Sequence, residues 1–517
     1  MNLITRFFYL GCLLGNLTIA ADKPNILFIY TDDQSTRTVS AYEDAYYWVD
    51  TPNIDRLAEE GIRFTRANIG SWCMASRASI LTGLQQHKVE SLRMTGPNPM
   101  NVYDPEKCQF WTESLRKQGY HTAQIGKWHT GVDSGYGRDW DHQIVWNRPK
   151  YPENSPNYYF DQLIEFDGKE AVLVKEYTTD KYTDWAVEFI KERGPQSGKP
   201  WYLWLCYGGV HAPFTPADRH LEAYEDVTTP KIPDVYPPRP EKPEYMNQME
   251  FWKPGPNGEP VEKGREGPVP VGMQDLPGRP LKDWIRQYQQ GVLSIDEGVG
   301  RLLESLQESG QDENTIIIFT SDQGFAWGQH GSKSKVAPYR ANIAAPLIFR
   351  LPKGIASKSR SKGTVVTEPV TAVDIPVTLF SITGLRSPWK MHGYDLSPLL
   401  KDPETPWGKP SMLVHTAKQY GSDTNTIPPK GDPKLYHGPG VPWYVLLSQG
   451  RYKYIRTLIE GETEELYDVV SDSQEVINLA GNPAYSKVLR QYRKWTIDEL
   501  KRTDAGFVNK LPSVANH

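Results

Sequence analysis

Residues 25–33 read NILFIYTDD, a short apolar run that ends in two aspartates. Runs that are apolar at consecutive positions, and not at alternate ones, are typical of strands covered on both faces, as in a parallel sheet. The same design recurs in three later segments that stop at ionisable or amide side chains: HTAQIGKWH (121–129), WYLWLCYGGVH (201–211) and TIIIFTSDQG (315–324). We therefore predict four buried strands of one largely parallel sheet.

Helical patterns lie between these runs. The clearest covers residues 283–310, where Gly310 ends a series of apolar residues at helical spacing, namely Tyr288, Val292, Ile295, Val299, Leu302 and Leu306. Strands that alternate with helices predict an α/β fold, with helices layered against the sheet.

Two later regions differ from this pattern. Residues 226–280 are rich in proline and glycine without apolar periodicity, which predicts a long ordered excursion over the surface or along the rim of the site, with disorder as the alternative. After residue 400 come three short strand-like runs and a helical segment, SKVLRQYRKWTIDELKR (486–502). They predict a small α+β subdomain at 401–517 with an antiparallel sheet, packed on a catalytic domain at 21–400.

Charge and cysteine usage narrow the possible functions. The 517-residue chain has a formal net charge of −5, so it offers no basic field for nucleic acid. Residues 1–20 have one early arginine, a short apolar stretch and small residues at the end, which predicts a signal peptide, export to the periplasm or the medium, and no stable membrane insertion. Three cysteines then remain, Cys73, Cys108 and Cys206, so at least one is free or has another role.

The polar residues after the four runs predict a common site. In open α/β sheets, ligands bind beyond the carboxyl ends of the strands, where these residues would meet. Asp32, Asp33, Asp322 and Gln323 supply oxygen donors of the kind that Ca²⁺ or Mg²⁺ prefers, and no nearby cluster of cysteine and histidine favours zinc.

Cationic side chains near these donors favour an anionic substrate. A metal ion surrounded by cations suits a tetrahedral oxyanion, so the sequence favours phosphate or sulfate transfer. The candidate cations are Arg77, Lys127, His129, His211, Lys333 and Lys335. The nucleophile should lie at a helix start near the metal, where SWCMASRASILTG (71–83) offers Cys73, Ser76 and Thr82.

The stretch CMASR followed by TG at 82–83 resembles the signature C-x-[PA]-x-R…TG of the type I, formylglycine-dependent sulfatases of the alkaline phosphatase superfamily. The resemblance covers nearly the whole chain after the signal peptide, including PNILFIYTDDQ, TPNIDRLAEEGIRFTRAN, LRKQGYHTAQIGKWH, GGVHAPF, TSDQG, GQHGSKSK, PLIF and LYDVVSDSQEVINLA. It implies a large mixed, mostly parallel sheet sandwiched by helices, with a smaller C-terminal domain.

The resemblance also implies a mechanism and roles for single residues. A formylglycine-generating or radical sulfatase-maturing enzyme would oxidise Cys73 to formylglycine, whose hydrate attacks the sulfur of the ester. Ca²⁺, in preference to Mg²⁺, would be held by Asp32, Asp33, Asp322, Gln323 and the residue made from Cys73. Arg77 and Lys127 would position the sulfate, and Lys335 would bind one of its oxygens. His211 would protonate the leaving oxygen, and His129 would assist the elimination of sulfate.

The chain departs from the family pattern at three places. Gln323 stands where asparagine or histidine is more frequent, Arg340 follows Tyr339 where glutamate is usual, and Leu84 follows the threonine-glycine pair where arginine is frequent. The first still offers an amide oxygen, and the other two affect substrate contacts more than the chemistry.

The substrate implied is a sulfated polysaccharide or oligosaccharide. Five residues near the motifs are candidate contacts to sugar or to a second sulfate, although packing or surface solvation is the more frequent role for such residues: Trp72, Arg93, Arg138, His142 and Arg148. Two other functions remain open. One is a formylglycine-dependent phosphatase or phosphonate monoester hydrolase, and the other is a sulfoglycan-binding protein without turnover.

Overall fold

The computed structural model describes residues 23–94, 101–194, 197–228, 231–269, 274–352, 355 and 363–515. The predicted signal peptide lies outside the described residues. A ten-stranded sheet forms the centre of the molecule, with strands Asn25–Thr31 (β1), Ile62–Phe64 (β2), His121–Lys127 (β3), His142–Trp146 (β4), Gln162–Phe166 (β5), Val172–Val174 (β6), Trp201–Cys206 (β7), Thr315–Ser321 (β8), Leu347–Arg350 (β9) and Thr364–Val366 (β10).

The strand order of this sheet is β10-β2-β9-β8-β1-β7-β3-β4-β5-β6. The five strands from β8 to β4 are parallel, and antiparallel pairs flank them on both sides. The four predicted strands are the neighbours β8, β1, β7 and β3. The sheet is therefore mixed and mostly parallel, and the predicted fold class is confirmed.

Ten α-helices accompany the sheets in the described residues: Pro52–Glu60 (α1), Cys73–Thr82 (α2), Thr112–Lys117 (α3), Thr178–Glu192 (α4), Glu244–Asn247 (α5), Leu281–Glu308 (α6), Arg340–Ile343 (α7), Asp374–Ile382 (α8), Ser397–Lys401 (α9) and Ser486–Arg502 (α10). The helix predicted at 283–310 corresponds to α6. None of the helices in the described part of the chain has a stretch long and apolar enough to cross a membrane.

The central strands are buried on both faces, which explains their continuous apolar runs. All seven residues of β1 are buried. Ile26, Phe28 and Tyr30 point into a core shared with α2 and α8, whereas Leu27 and Ile29 point into a second core shared with α1, α4 and α6. Successive side chains of a strand face opposite sides, so an interior strand between two helical layers requires apolar residues at every position.

A second, antiparallel sheet follows residue 400. Its strands, in spatial as well as chain order, are Ser411–His415 (β11), Tyr444–Gln449 (β12), Tyr452–Thr457 (β13) and Glu465–Asp468 (β14). Leu447 and Tyr454 pack against Leu489 of α10, while Leu446 and Ile455 on the other face join the core of the large sheet. The small sheet therefore lies between α10 and the main body, as the strand pattern predicts.

The excursion at 226–280 packs on the loop that leads to Lys335. It contains α5 and a short hairpin, Trp252–Pro254 with Pro260–Glu262. Asp234 accepts a hydrogen bond from the backbone N–H of His330 at 2.9 Å, and Glu262 forms an ion pair with Lys333. Lys333, a candidate cation, is therefore paired away from the predicted site. Four other two-stranded ribbons complete the described strands: Ala67–Asn68 with Val370–Thr371, Leu92–Met94 with Asn101–Tyr103, Ala326–Trp327 with Lys333–Ser334, and Tyr436–His437 with Val441–Pro442.

Candidate active site

The carboxyl ends of the central strands bring the predicted acidic residues together. Asp32 and Asp33 directly follow β1, and Asp322 directly follows the neighbouring strand β8. The backbone N–H of Asp33 donates to Asp322 Oδ1 at 3.0 Å, and the N–H of Asp32 donates to Gly209 O at 2.9 Å. These bonds tie together the loops that follow β1, β7 and β8. We call Asp32, Asp33 and Asp322 the acidic cluster.

The first turn of α2 faces the acidic cluster. Cys73 is the first residue of this helix, and the side chain of Trp72, at the N-cap position, makes no capping hydrogen bond. Backbone N–H groups at a helix start favour a negatively charged ligand. Gly70 allows the preceding loop to approach the helix, because a Cβ atom there would lie 1.7 Å from Ser76 Oγ.

The thiol of Cys73 contacts three parts of the site. Its Sγ lies 3.3 Å from Asp32 Oδ1, 3.0 Å from Lys335 Nζ and 3.5 Å from Gln323 Nε2. This Sγ and one carboxylate oxygen from each residue of the acidic cluster all lie within 4.8 Å of one another. Cys73 therefore lies between the acidic cluster, Lys335 and Gln323.

Three cations neutralise the acidic cluster. Arg77, one turn after Cys73 on α2, donates to Asp32 Oδ2 at 3.2 Å and to Asp322 Oδ2 at 3.4 Å. Lys127, the last residue of β3, is paired with Asp32, and Lys335 Nζ lies 2.8 Å from both carboxylate oxygens of Asp33. Three positive and three negative charges sum to zero, so a divalent cation and a sulfate ester can enter together without a large net charge.

Burial shifts the protonation of the acidic cluster and of the thiol. Burial and the neighbouring Asp32 raise the pKa of Asp322 to about 7, although Arg77 opposes the rise. Burial also raises the pKa of Asp32, but the charges of Lys127 and Arg77 outweigh it and hold that pKa well below its usual range. Burial, Asp32 and Asp322 raise the pKa of the Cys73 thiol to about 12. At neutral pH this cysteine is a thiol, which is a poor nucleophile.

Two histidines at the site are kept neutral. Burial, followed by the charge of Lys335, holds the pKa of His211 well below its usual value. The His211 ring stacks on Tyr158 with centroids 4.0 Å apart, and its Nε2 lies 3.7 Å from Asp33 Oδ2. Burial, Arg148 and Lys127 hold the pKa of His129 well below its usual value. Neither ring nitrogen of His129 has a hydrogen-bond partner among the described residues, so both are available to a ligand.

The donor set fits a hard divalent cation. Burial and the charge of Asp32 both raise the pKa of Asp322, and a bound cation would stabilise its ionised carboxylate. Gln323 adds an amide that already contacts Asp33 through Nε2, and its Oε1 lies 3.3 Å from Ser76 Oγ. Rotation of this amide by half a turn would present the oxygen to a cation.

The five candidate substrate contacts separate into two groups. Trp72 and Arg148 are buried next to the site, Trp72 through its position before Cys73 and Arg148 through a hydrogen bond to the Tyr158 hydroxyl. His142 begins β4, whereas Lys127 pairs with Trp146 at the other end of this strand, so about 13 Å of strand separates His142 from the site.

Arg138 and Arg93 are also engaged elsewhere. Arg138 forms ion pairs with Asp133 and Asp139, on the loop that leads into β4 at the same far end of the sheet. Arg93 forms ion pairs with Glu90 and, at 2.7 Å, with Asp423, and not with a residue of the acidic cluster. The structure therefore places His142 and Arg138 at the far end of the sheet from Cys73, and Arg93 beside the loop that carries Ser422 and Asp423.

Tyr158 belongs to the site although no motif indicates it. Its ring lies between Lys127, whose Nζ is 5.1 Å from the ring centroid, and Arg148, at 4.8 Å. Its hydroxyl lies 3.3 Å from His211 Nε2. A sequence signal is absent because Tyr158 and His211 are 53 positions apart and meet only when β7 and the loop before β5 pack together.

Known proteins resemble this chain over most of its length. The sequence profile of the Sulfatase family matches residues 24–385. An N-acetylglucosamine-6-O-sulfatase of Bacteroides thetaiotaomicron is 28% identical, with 90% of this chain and 84% of the relative covered. An ulvan-active sulfatase of Formosa agariphila is 25% identical, with 90% and 78% covered.

Solved structures show the same fold. A structure described as a complex with its substrate D-glucosamine-2-N,6-O-disulfate has a TM-score of 0.75 and 25% identity, and the match covers 93% of this chain and 98% of the other. A phosphonate monoester hydrolase from Silicibacter pomeroyi has a TM-score of 0.70 and 20% identity over 93% and 96% of the two chains, which shows the fold alone. The profile match spans more than half of the chain, and with the relatives it shows that this protein belongs to the sulfatase family and is a sulfuric ester hydrolase.

Proposed function

We propose that this sulfatase releases inorganic sulfate from a sulfated polysaccharide or oligosaccharide, and that Cys73 is the precursor of its nucleophile. The observation that carries the proposal is the position of Cys73. It is the first residue of α2, and its Sγ lies within 3.5 Å of a carboxylate, an ammonium group and an amide.

The thiol itself is poorly suited to attack a sulfate ester. Its pKa of about 12 keeps it protonated, and the carboxylates beside it oppose ionisation further. Oxidation to formylglycine by a formylglycine-generating or radical sulfatase-maturing enzyme would supply a hydrated aldehyde, whose hydroxyl group is the nucleophile. The surrounding residues fit that group, because Asp32 can accept a proton from a hydroxyl and Lys335 can donate to one.

Asp32, Asp33, Asp322 and the amide oxygen of Gln323 would hold the metal ion. Ca²⁺ suits this set better than Mg²⁺, because Ca²⁺ tolerates irregular arrangements of carboxylate and amide oxygens. The ion would supply neutralisation of charge on the sulfate oxygens. This chain's own contribution is to keep three carboxylates buried and oriented by Arg77 and by backbone N–H groups.

The cations and histidines bind the sulfate group and move protons. Lys127 and Lys335 are positively charged and lie close to Cys73, so they can bind the oxygens of a sulfate held there. A bound anion raises the pKa of a neighbouring imidazole, so His211 takes up a proton as substrate binds and can donate it to the leaving oxygen. His129 has two free ring nitrogens among the described contacts and would accept a proton at the nucleophile.

The substrate class is supported by the relatives. The names of two of them state action on N-acetylglucosamine 6-sulfate and on ulvan, and a structural neighbour was solved with a sulfated glucosamine. Desulfation of a panel of algal and animal sulfated glycans, followed as released sulfate, tests the proposal. Turnover of small aryl sulfates alone would contradict it, and faster turnover of a phosphonate ester than of a sulfate ester of the same phenol would favour the phosphonate hydrolase.

We further propose that residues 1–20 direct export and are removed, and that 21–400 and 401–517 form the catalytic and C-terminal units. Relatives of this chain include sulfatases named as extracellular, from Caenorhabditis elegans and Drosophila melanogaster, which supports a protein that acts outside the cytoplasm. The shared core of the two sheets supports a C-terminal unit that folds against the catalytic one.

A further inference from the structure

Three ring side chains next to Cys73 carry buried polar atoms that have no hydrogen-bond partner in the described part of the chain. They are Trp72 Nε1, the Tyr420 hydroxyl and His437 Nδ1. The side chains of Trp72 and Tyr420 are more than nine-tenths buried. Buried polar groups are usually hydrogen-bonded, so these three atoms are free to bond to a ligand at the site.

The rings of Trp72 and His437 form one wall of the site. Trp72 directly precedes Cys73, and its ring meets the ring of His437 edge to face with centroids 4.4 Å apart. His437 stacks on His415 at 5.8 Å, and His415 Nδ1 lies 2.9 Å from Ser71 Oγ. The loop between β11 and β12 is thereby held against the start of α2.

The same wall faces the reacting atoms. Burial raises the pKa of Tyr420 well above its usual value, and Cys73 is close enough to add to the rise. Burial lowers the pKa of His437 well below its usual value, and Lys335 contributes to the drop together with His415 and Lys418. Tyr420 and His437 therefore lie within electrostatic range of the two residues that would hold the nucleophile and the sulfate.

The chemistry of this wall differs from that of the opposite one. Arg77, Lys127 and Lys335 present charge to an anion, whereas an indole N–H, a phenol and a buried imidazole present uncharged donors and acceptors. Such groups match the hydroxyl groups of a sugar ring, and the faces of the aromatic rings match its apolar side.

We propose that Trp72, Tyr420 and His437 form a subsite that binds the uncharged, hydroxyl-bearing part of the substrate next to the sulfate ester. The proposal rests on the proposed function, because the ligand is the alcohol part of the sulfated carbohydrate. It assigns to the loop between β11 and β12 a part in substrate selection.

Two variants test the subsite without emptying it. Tyr420→Phe and His437→Phe keep a ring in place and remove only polar atoms, and Tyr485→Phe, in the turn before α10, is the matched control. For each protein, kcat/KM is measured on sulfated monosaccharides, including N-acetylglucosamine 6-sulfate, and on 4-nitrophenyl sulfate, which lacks ring hydroxyl groups. The ratio of the sugar to the aryl value should fall about tenfold in each of the two variants and stay unchanged in the control.

The possible results distinguish a failure of the subsite from a failure of the proposed function. If the unaltered protein hydrolyses sugar sulfates and Tyr420→Phe and His437→Phe leave the ratio unchanged, the subsite is wrong and the proposed function stands. If the unaltered protein hydrolyses the aryl sulfate and no sugar sulfate, the proposed function fails and the subsite fails with it. A melting temperature equal to that of the unaltered protein shows that a variant is folded, and this is expected because the lost hydroxyl of Tyr420 bonds to no described group.

Discussion

Replacement of Arg77 by methionine should separate the stability of the site from its activity. The guanidinium is fully buried and donates to Asp32 at 3.2 Å and to Asp322 at 3.4 Å. Removal of one partner of a buried ion pair destabilises a protein by about 3–5 kcal/mol. With an unfolding entropy of about 2.1 cal/mol/K per residue, roughly 1 kcal/mol/K for a chain of this length, the melting temperature should fall by about 3–5 °C in the presence of a chelator.

Calcium should reverse part of this loss. Without Arg77 the site has a net charge of about −1, so a divalent cation gains attraction, and the gap in melting temperature should narrow when calcium is added. Activity should not return, because the group that orients the carboxylates of Asp32 and Asp322 is gone, and kcat/KM should be lower by about a thousandfold.

Arg219→Met is the matched control for this experiment. Arg219 also bridges two carboxylates, those of Asp180 and Glu297, but its side chain is 43% exposed. An exposed pair contributes at most about 1 kcal/mol, so the control should melt within about 1 °C of the unaltered protein. The reasoning is refuted if Arg77→Met melts with the unaltered protein in chelator, or if it keeps more than a tenth of kcat/KM.

Three further predictions concern neighbouring residues. Burial and Asp32 raise the pKa of Asp322 to about 7 from an ordinary value of 3.8. Between these two values the metal-free folded protein holds a proton that the unfolded chain has lost, so the free energy of unfolding should fall as pH rises from about 4 to 7. Urea titrations with chelator should show a flatter fall for Asp322→Asn. Gln323→Leu, which removes the amide oxygen, should weaken calcium binding about tenfold by calorimetry, and an unchanged Kd would exclude Gln323 as a ligand. Tyr158→Phe keeps the ring that stacks on His211 and removes the hydroxyl that lies 3.3 Å from His211 Nε2. The value of kcat should fall about three- to tenfold with KM unchanged. A change in KM alone would make Tyr158 a substrate contact.

The parts of the fold that the sequence predicted well are those with one dominant physical cause. β1, β3, β7 and β8 are interior strands between two helical layers, so most of their residues are apolar and the runs were visible, although β3 also buries Thr122 and Gln124. The flanking strands β2, β6 and β10 have three residues each, too few for a periodic pattern, and their pairing depends on contacts distant in the chain.

The site was predictable where a residue follows a strand directly. Asp32 and Asp322 follow the adjacent parallel strands β1 and β8, and Lys127 ends β3, two strands from β1, so the topology alone brings them to one edge of the sheet. Tyr158 reaches the site from a loop, and nothing in its local sequence distinguishes it from a core tyrosine. His142 is close in sequence to Lys127 but begins the next strand at its far end, so distance along the chain did not predict distance in the fold.

The central claim is that Cys73 is converted to the group that performs catalysis. The most direct measurement is the mass of the tryptic peptide ANIGSWCMASR, residues 67–77, from active protein made with a maturing enzyme. The account predicts a peptide about 18 Da lighter than its thiol form, in a fraction that rises and falls with specific activity across preparations. Full sulfatase activity in a preparation whose peptide carries only the unmodified thiol would contradict it.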